Sequence, residues 1–189
     1  MDELFWSIAR TSGIISLCLL TGSLLLGIMA RSGRSFGALS RYTQSLLHRS
    51  FSLLSVLFVA LHVIALLADS YARVHLIDLL IPFFGEYRPF WQGLGTVGLL
   101  LMLAVSLTGL LRQRLSQPMF RGIHLASYLL WPIAAAHGLG NGSDAGAVWY
   151  RVITVVSIAL VATAGIWRLT ANYADHASAR RLACEGAKP

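Results

Sequence analysis

The stretch "HRSFSLLSVLFVALH", residues 48–62, is almost wholly apolar yet begins and ends with histidine. An imidazole inside a membrane helix is costly unless something partners it, so these two rings ask what the rest of the chain supplies. The chain has 189 residues, 56% hydrophobic and 12% charged. Soluble domains carry about a quarter charged residues, so an ordinary soluble domain is excluded and an integral membrane protein is expected. A hydrocarbon core of about 30 Å needs about 20 apolar residues per helix. Five stretches qualify, at 13–30, 46–68, 90–111, 123–139 and 148–170, the fourth being short. Continuous Leu, Val, Ile and Ala runs lack the alternation of a membrane barrel. The fold expected is an all-α, five-helix transmembrane bundle in one domain, residues 1–189, with no linker or repeat.

The formal charge of +7 is explained by its distribution. Arg31, Arg34, Arg41, Arg49, Arg112, Arg114, Arg121, Arg168, Arg180, Arg181 and Lys188 follow the first, third and fifth spans. Only Arg10, Arg73, Arg88 and Arg151 fall on the other side. The bias predicts an N-terminus outside and a C-terminus in the cytoplasm, in the cell membrane. The basicity is thus topology rather than a nucleic-acid surface. "MDELFW" lacks a basic n-region and a cleavage site, so the first span reads as a retained anchor. Cys18 within a span and Cys184 in the tail cannot pair, and no CxxCH haem attachment exists. Trp6, Trp91, Trp149 and Tyr150 on one side, with Tyr42, Trp167 and Tyr173 on the other, form aromatic belts.

Four of the six histidines lie in spans: His48 and His62 in the second, His124 and His137 in the fourth. A lone membrane histidine is as a rule a hydrogen-bonded packing residue. Here the fourteen-residue step rises about 21 Å and the thirteen-residue step about 19.5 Å, so the depths match. With one span between them the two helices run parallel, and His48 can face His124 while His62 faces His137. The angles fit less well: fourteen residues fall about 40° short of four turns, but thirteen fall about 140° short. Pro132 lies between His124 and His137, and a distortion is expected around Trp131 and Pro132.

Facing imidazoles in an apolar bundle suit haem iron, whose remaining ligands come with the porphyrin. Zinc, copper or di-iron sites usually need further Cys, Asp or Glu ligands. All eight carboxylates, Asp2, Glu3, Asp69, Asp78, Glu86, Asp144, Asp175 and Glu185, fall outside the spans. This weakens a proton-pump or cation-transporter reading.

The pattern H-x13-H and H-x12-H on two spans separated by one resembles the ferric reductase-like transmembrane domain superfamily. That superfamily takes in ferric reductases, NADPH oxidases and the haem subunit of a periplasmic methionine sulfoxide reductase. "HRSFSLLSVLFVALHV", "YRPFWQGLG" and "RGIHLASYLLWPIAAAHGLGNGSDAG" look like small actinobacterial members, and the likeness runs from about Thr43 to Thr170. It implies two b-type haems, an inner one on His48 and His124 and an outer one on His62 and His137, conducting electrons across the membrane. Oxidase-type members have six helices and a flavin and NADPH domain, absent here, so a separate flavoprotein or a quinol is the expected donor and the acceptor is unidentified. The sulfoxide reductase subunit does not keep all four histidines, so the likeness is to the di-haem branch.

Arginines near a membrane face can pair with anionic haem propionates: Arg49 and Arg121 at the inner pair, Arg73 and Arg88 at the outer, or else they are ordinary charged helix ends. Trp131, midway between His124 and His137, either stands between the haems or packs. "GLGTVG", residues 93–98, satisfies G-x-G-x-x-G but lies within a span without a preceding strand, so Gly93, Gly95 and Gly98 read as tight packing. The loop 70–90 is expected to form a short interfacial helix ending near Pro82. His75 there is an interfacial residue or a substrate contact, and His176 in the tail is expected to be solvated. Two other readings stand beside the conduit: a quinone-linked cytochrome b subunit, separated by its reduction by quinol, and a non-redox anchor or metal transporter, separated by pigment content.

Overall fold

A computed structural model of the protein describes residues 2–32, 34–36 and 39–170. Tyr173, His176 and Cys184, with the tail charges Asp175, Arg180, Arg181, Glu185 and Lys188, lie outside the described residues. Six α-helices account for most of the rest: α1 (Asp2–Ser32), α2 (Arg41–Ala68), α3 (Pro89–Leu110), α4 (Gln117–Leu125), α5 (Ser127–Asn141) and α6 (Val148–Leu169). Helix starts are coded locally. The Ser40 side chain accepts the Thr43 N–H at 3.1 Å to cap α2, and prolines open α3 and α4, where a missing N–H costs nothing.

α1, α2, α3 and α6 are each long and apolar enough to cross a membrane. α1 starts eleven residues before the predicted span; its 31 residues extend about 46 Å, well beyond a hydrocarbon core. The fourth predicted span is two helices rather than one. α5 has 15 residues, about 22 Å, and is too short by itself. The joint lies at Ala126, whose N–H reaches the Ile123 carbonyl at 3.0 Å, a three-residue tightening. The distortion expected at Trp131 and Pro132 is therefore displaced: α5 runs on through Pro132. A proline ring clashes with the carbonyl four residues earlier, here Tyr128, so its disturbance falls on the preceding turn.

α1 is the central helix, packed against α2, α5 and α6. Its buried face mixes Ala9, Leu17, Leu24 and Ile28 with Ser12, Ser16, Thr21 and Ser23. Several of these hydroxyls bond back to their own helix, Ser12 to the Ile8 carbonyl at 2.6 Å and Thr21 to the Leu17 carbonyl at 2.8 Å. Small side chains with internally satisfied hydroxyls let helices approach closely where lipid gives no hydrophobic drive. The other side of α2, with Leu46, Leu53, Leu57, Leu61 and Ile64 exposed, is the complementary lipid-facing stripe.

The short helix expected in the α2–α3 loop forms as a single turn of 3-10 helix, Leu76–Leu79, ending three residues before Pro82. Asp69 and Asp78 lie outside the membrane-spanning helices, as the sequence indicates, yet each is only 4% exposed. The Asp78 carboxylate accepts the His75 N–H at 2.9 Å, and its backbone carbonyl accepts the Thr96 hydroxyl at 2.6 Å, which tethers the loop to α3.

Candidate functional site

The four span histidines meet in two pairs. His48 of α2 and His124 of α4 have ring centroids 6.1 Å apart, and His62 of α2 and His137 of α5 have centroids 6.5 Å apart. Ring planes cross at 82° and 85°. Two imidazoles bound to opposite sides of one metal ion, at about 2.0–2.1 Å per bond plus about 1.1 Å from nitrogen to ring centre, would stand about 6.3 Å apart. The observed spacings bracket that value, so the pairs fit an ion held between them and are too wide for direct hydrogen bonding.

Tautomers point the same way. His48 Nδ1 is 2.8 Å from the Ser23 carbonyl, His62 Nδ1 2.6 Å from the Ala9 carbonyl, and His137 Nδ1 2.7 Å from the Trp91 carbonyl. A carbonyl only accepts, so in each ring Nδ1 carries the proton and a neutral ring keeps its Nε2 lone pair, the arrangement of metal-bound histidine. Ser23 Oγ adds a contact to His48 Nδ1 at 3.2 Å and joins Ser52 Oγ at 2.7 Å. His124 differs: its Nδ1 is buried without a hydrogen-bond partner among the described residues. Its ring stacks on Phe120 at 5.1 Å, and the Arg112 guanidinium covers the Phe120 ring at 5.2 Å.

Glycines make room for these rings. A Cβ on Gly13 would stand 3.1 Å from His62 Nδ1, one on Gly27 3.2 Å from His48 Cε1, and one on Gly95 2.6 Å from His137 Cε1. Each glycine lies four residues after the carbonyl its histidine uses: Ala9 and Gly13, Ser23 and Gly27, Trp91 and Gly95. In a helix the residue four on is the one whose N–H meets that carbonyl, so any side chain there would crowd a second donor. Of the glycines read as packing residues, Gly93 is pressed by Phe83, Gly95 by His137, and Gly98 has only ordinary contacts.

At the His48–His124 end lies a cleft of about 200 Å³, lined by Ser23, Gly27, Arg31, Arg121, Tyr128 and Arg168 among others. Arg121 lines it, whereas Arg49 is exposed on α2 and is not part of its wall. Arg31, Tyr128 and Arg168 escaped the sequence reading, which took both arginines only as topology signals. Arg168 donates to the Tyr128 hydroxyl and stands 4.8 Å over its ring.

At the other end Arg88 donates to the Gly140 carbonyl at 2.8 Å, three residues beyond His137, while Arg73 is exposed in the loop. Both have left-handed backbone, with φ of 44° and 47°. Trp131 is 6% exposed; it donates to Thr21 Oγ1 at 2.8 Å and packs with Leu17, Leu24, Ile28 and Ala135. His75 is exposed, with Nδ1 3.7 Å from the Asp78 carboxylate. Among the described residues, no three His, Cys, Asp or Glu side chains converge as a metal site would require.

The two rings per site therefore suit an ion that brings its other ligands with it, and the residues present fit a haem. Residues 12–135 match the family model described as ferric reductase like transmembrane component. The matched range takes in His48, His62 and His124 and stops two residues before His137. Neither a curated protein nor a solved structure matches the chain.

Proposed function

The chain belongs to the ferric reductase-like transmembrane component family, and from that membership we propose that it is a di-haem b-type cytochrome carrying electrons across the cell membrane. His48 with His124 would hold an inner haem and His62 with His137 an outer one. The observation that carries this reading is the spacing of the two pairs, 6.1 and 6.5 Å between ring centres, with three of the four rings held as Nδ1–H tautomers by helix carbonyls.

When bound, haem supplies one-electron redox chemistry, and the chain supplies ligation, a dry sheath and fixed spacing. Fourteen residues of one helix set the ligands of α2 about 21 Å apart along its axis. Arg121 at the inner site, and Arg88 and Arg73 at the outer, would neutralise propionates, with Trp131 between the two sites. In this reading α4 and α5 together make the fourth of five crossings. Among the described residues Arg31, Arg34, Arg41, Arg49, Arg112, Arg114, Arg121 and Arg168 gather at the His48–His124 end, where no Asp or Glu lies. This supports a cytoplasmic inner end, with the N-terminus outside and the C-terminus inside.

The donor would be a separate flavoprotein or a membrane quinol, and the acceptor lies on the far side. A reduced-minus-oxidised visible spectrum with haem counted per chain tests the proposal: two b-type haems are expected, and a colourless protein after expression with ample haem would overturn it. Reduction by a quinol analogue, and not by a flavoprotein with NAD(P)H, would assign the donor to the quinone pool.

A further inference from the structure

Three histidines rest on a helix carbonyl whose fourth residue onward is glycine, and the carriers repeat with a period of fourteen. On α1 the pairs are Ala9 with Gly13 and Ser23 with Gly27, matching the fourteen-residue step from His48 to His62 on the antiparallel α2. On α3 the pair Trp91 with Gly95 holds His137. Fourteen residues further along α3 stand Val105 and Gly109. One observation marks this position: the His124 Nδ1 is buried with no partner among the described residues, while a Cβ on Gly109 would meet nothing within 4 Å, so the His124 ring does not touch this glycine as the other three rings touch theirs. Val105 and His124 line the same cleft, and α4 packs on α3.

We propose that the Val105 carbonyl, kept open by Gly109, receives the His124 Nδ1–H when the inner pair holds its haem, which makes Val105 and Gly109 positioning residues of that site. The inference rests on the haem reading above. It completes a set of four cradles, and it gives a partner to a buried polar atom that otherwise lacks one. Thr108 Oγ1 already donates to the Val105 carbonyl at 2.9 Å, so it competes with the ring for that oxygen.

A hydrogen bond from Nδ1–H strengthens donation through Nε2 and favours ferric iron. Its loss should therefore raise the midpoint potential of the haem concerned. The test is a redox titration of the full-length chain in detergent, followed by visible spectrum, with haem counted per chain. Gly109→Ala is compared with Gly165→Ala, a glycine on α6 where an added Cβ also meets nothing, so that the general effect of alanine in a helix cancels. Gly109→Ala is expected to raise one of two midpoints while Gly165→Ala leaves both in place. Thr108→Val removes the competing hydroxyl at nearly constant volume and should lower the same midpoint; it remains readable if Gly109→Ala accumulates poorly. Two haems in every variant with unshifted midpoints would overturn the fourth cradle and leave the haem reading intact. A wild-type protein without haem would overturn both.

Discussion

His48, His62 and His137 each have Nδ1 tied to a backbone carbonyl, which leaves Nε2 for the partner ring, whereas His124 Nδ1 has no partner among the described residues. Replacing any one with alanine is expected to reduce two haems per chain to one, read from the pyridine haemochrome; retention of both would remove that residue from the ligand set. The glycines should grade by how closely an added methyl approaches the ring. Gly95→Ala, at 2.6 Å from His137, should lose more haem than Gly13→Ala at 3.1 Å or Gly27→Ala at 3.2 Å. These approaches fall at or below ordinary contact, so the ring or the helix has to yield. Trp131→Phe tests packing separately. It removes the donor to Thr21, but the Thr21 hydroxyl keeps its own bond to the Leu17 carbonyl, so no buried group is stranded. A cost of about 1 kcal/mol is expected, visible as a small fall in Tm.

Among the elements, the α4–α5 pair determines whether His124 and His137 can serve parallel partners on α2. A continuous helix would turn them about 140° away from registry over thirteen residues, and the joint at Ala126 resolves that mismatch. Pro132→Ala restores the N–H that could bond the Tyr128 carbonyl and removes the ring that crowds it, which favours one unbroken helix. The expected result is loss of the inner haem with the outer one kept, giving one haem per chain. Two haems with wild-type spectra would show that the bend is held by packing of α4 against α3 instead. The sequence carried the proline and the mismatch but not the position of the joint. Where the chain yields depends on which turn the neighbouring helices leave free to tighten.

For the whole molecule, the arginines concentrated at one end predict orientation. A cytoplasm-dependent fluorescent reporter at the C-terminus should be active, and an export-dependent phosphatase at the same place inactive. The opposite pattern would invert the assignment of inner and outer sites. The Arg10–Asp144 pair, 3.2 Å apart and joining α1 to the α5–α6 loop, contributes little to this assembly, because Arg10 is 37% exposed. Arg10→Gln should shift stability by no more than about 1 kcal/mol, and less in high salt.

Apolar run length and the spacing of His48 and His62 are local properties, fixed by a helical rise of about 1.5 Å per residue. The sequence by itself therefore determined a helical membrane protein and the depths of its histidines. What holds each ring was decided only by the tertiary structure: His62 meets the carbonyl of a residue 53 positions away, and His137 one 46 positions away. Backbone carbonyls carry no sequence signature, and the glycines that expose them look like ordinary close-packing residues until two helices are laid side by side. The same holds for Arg31 and Arg168, which read as topology signals along the chain and line one cleft only after α1 and α6 come together.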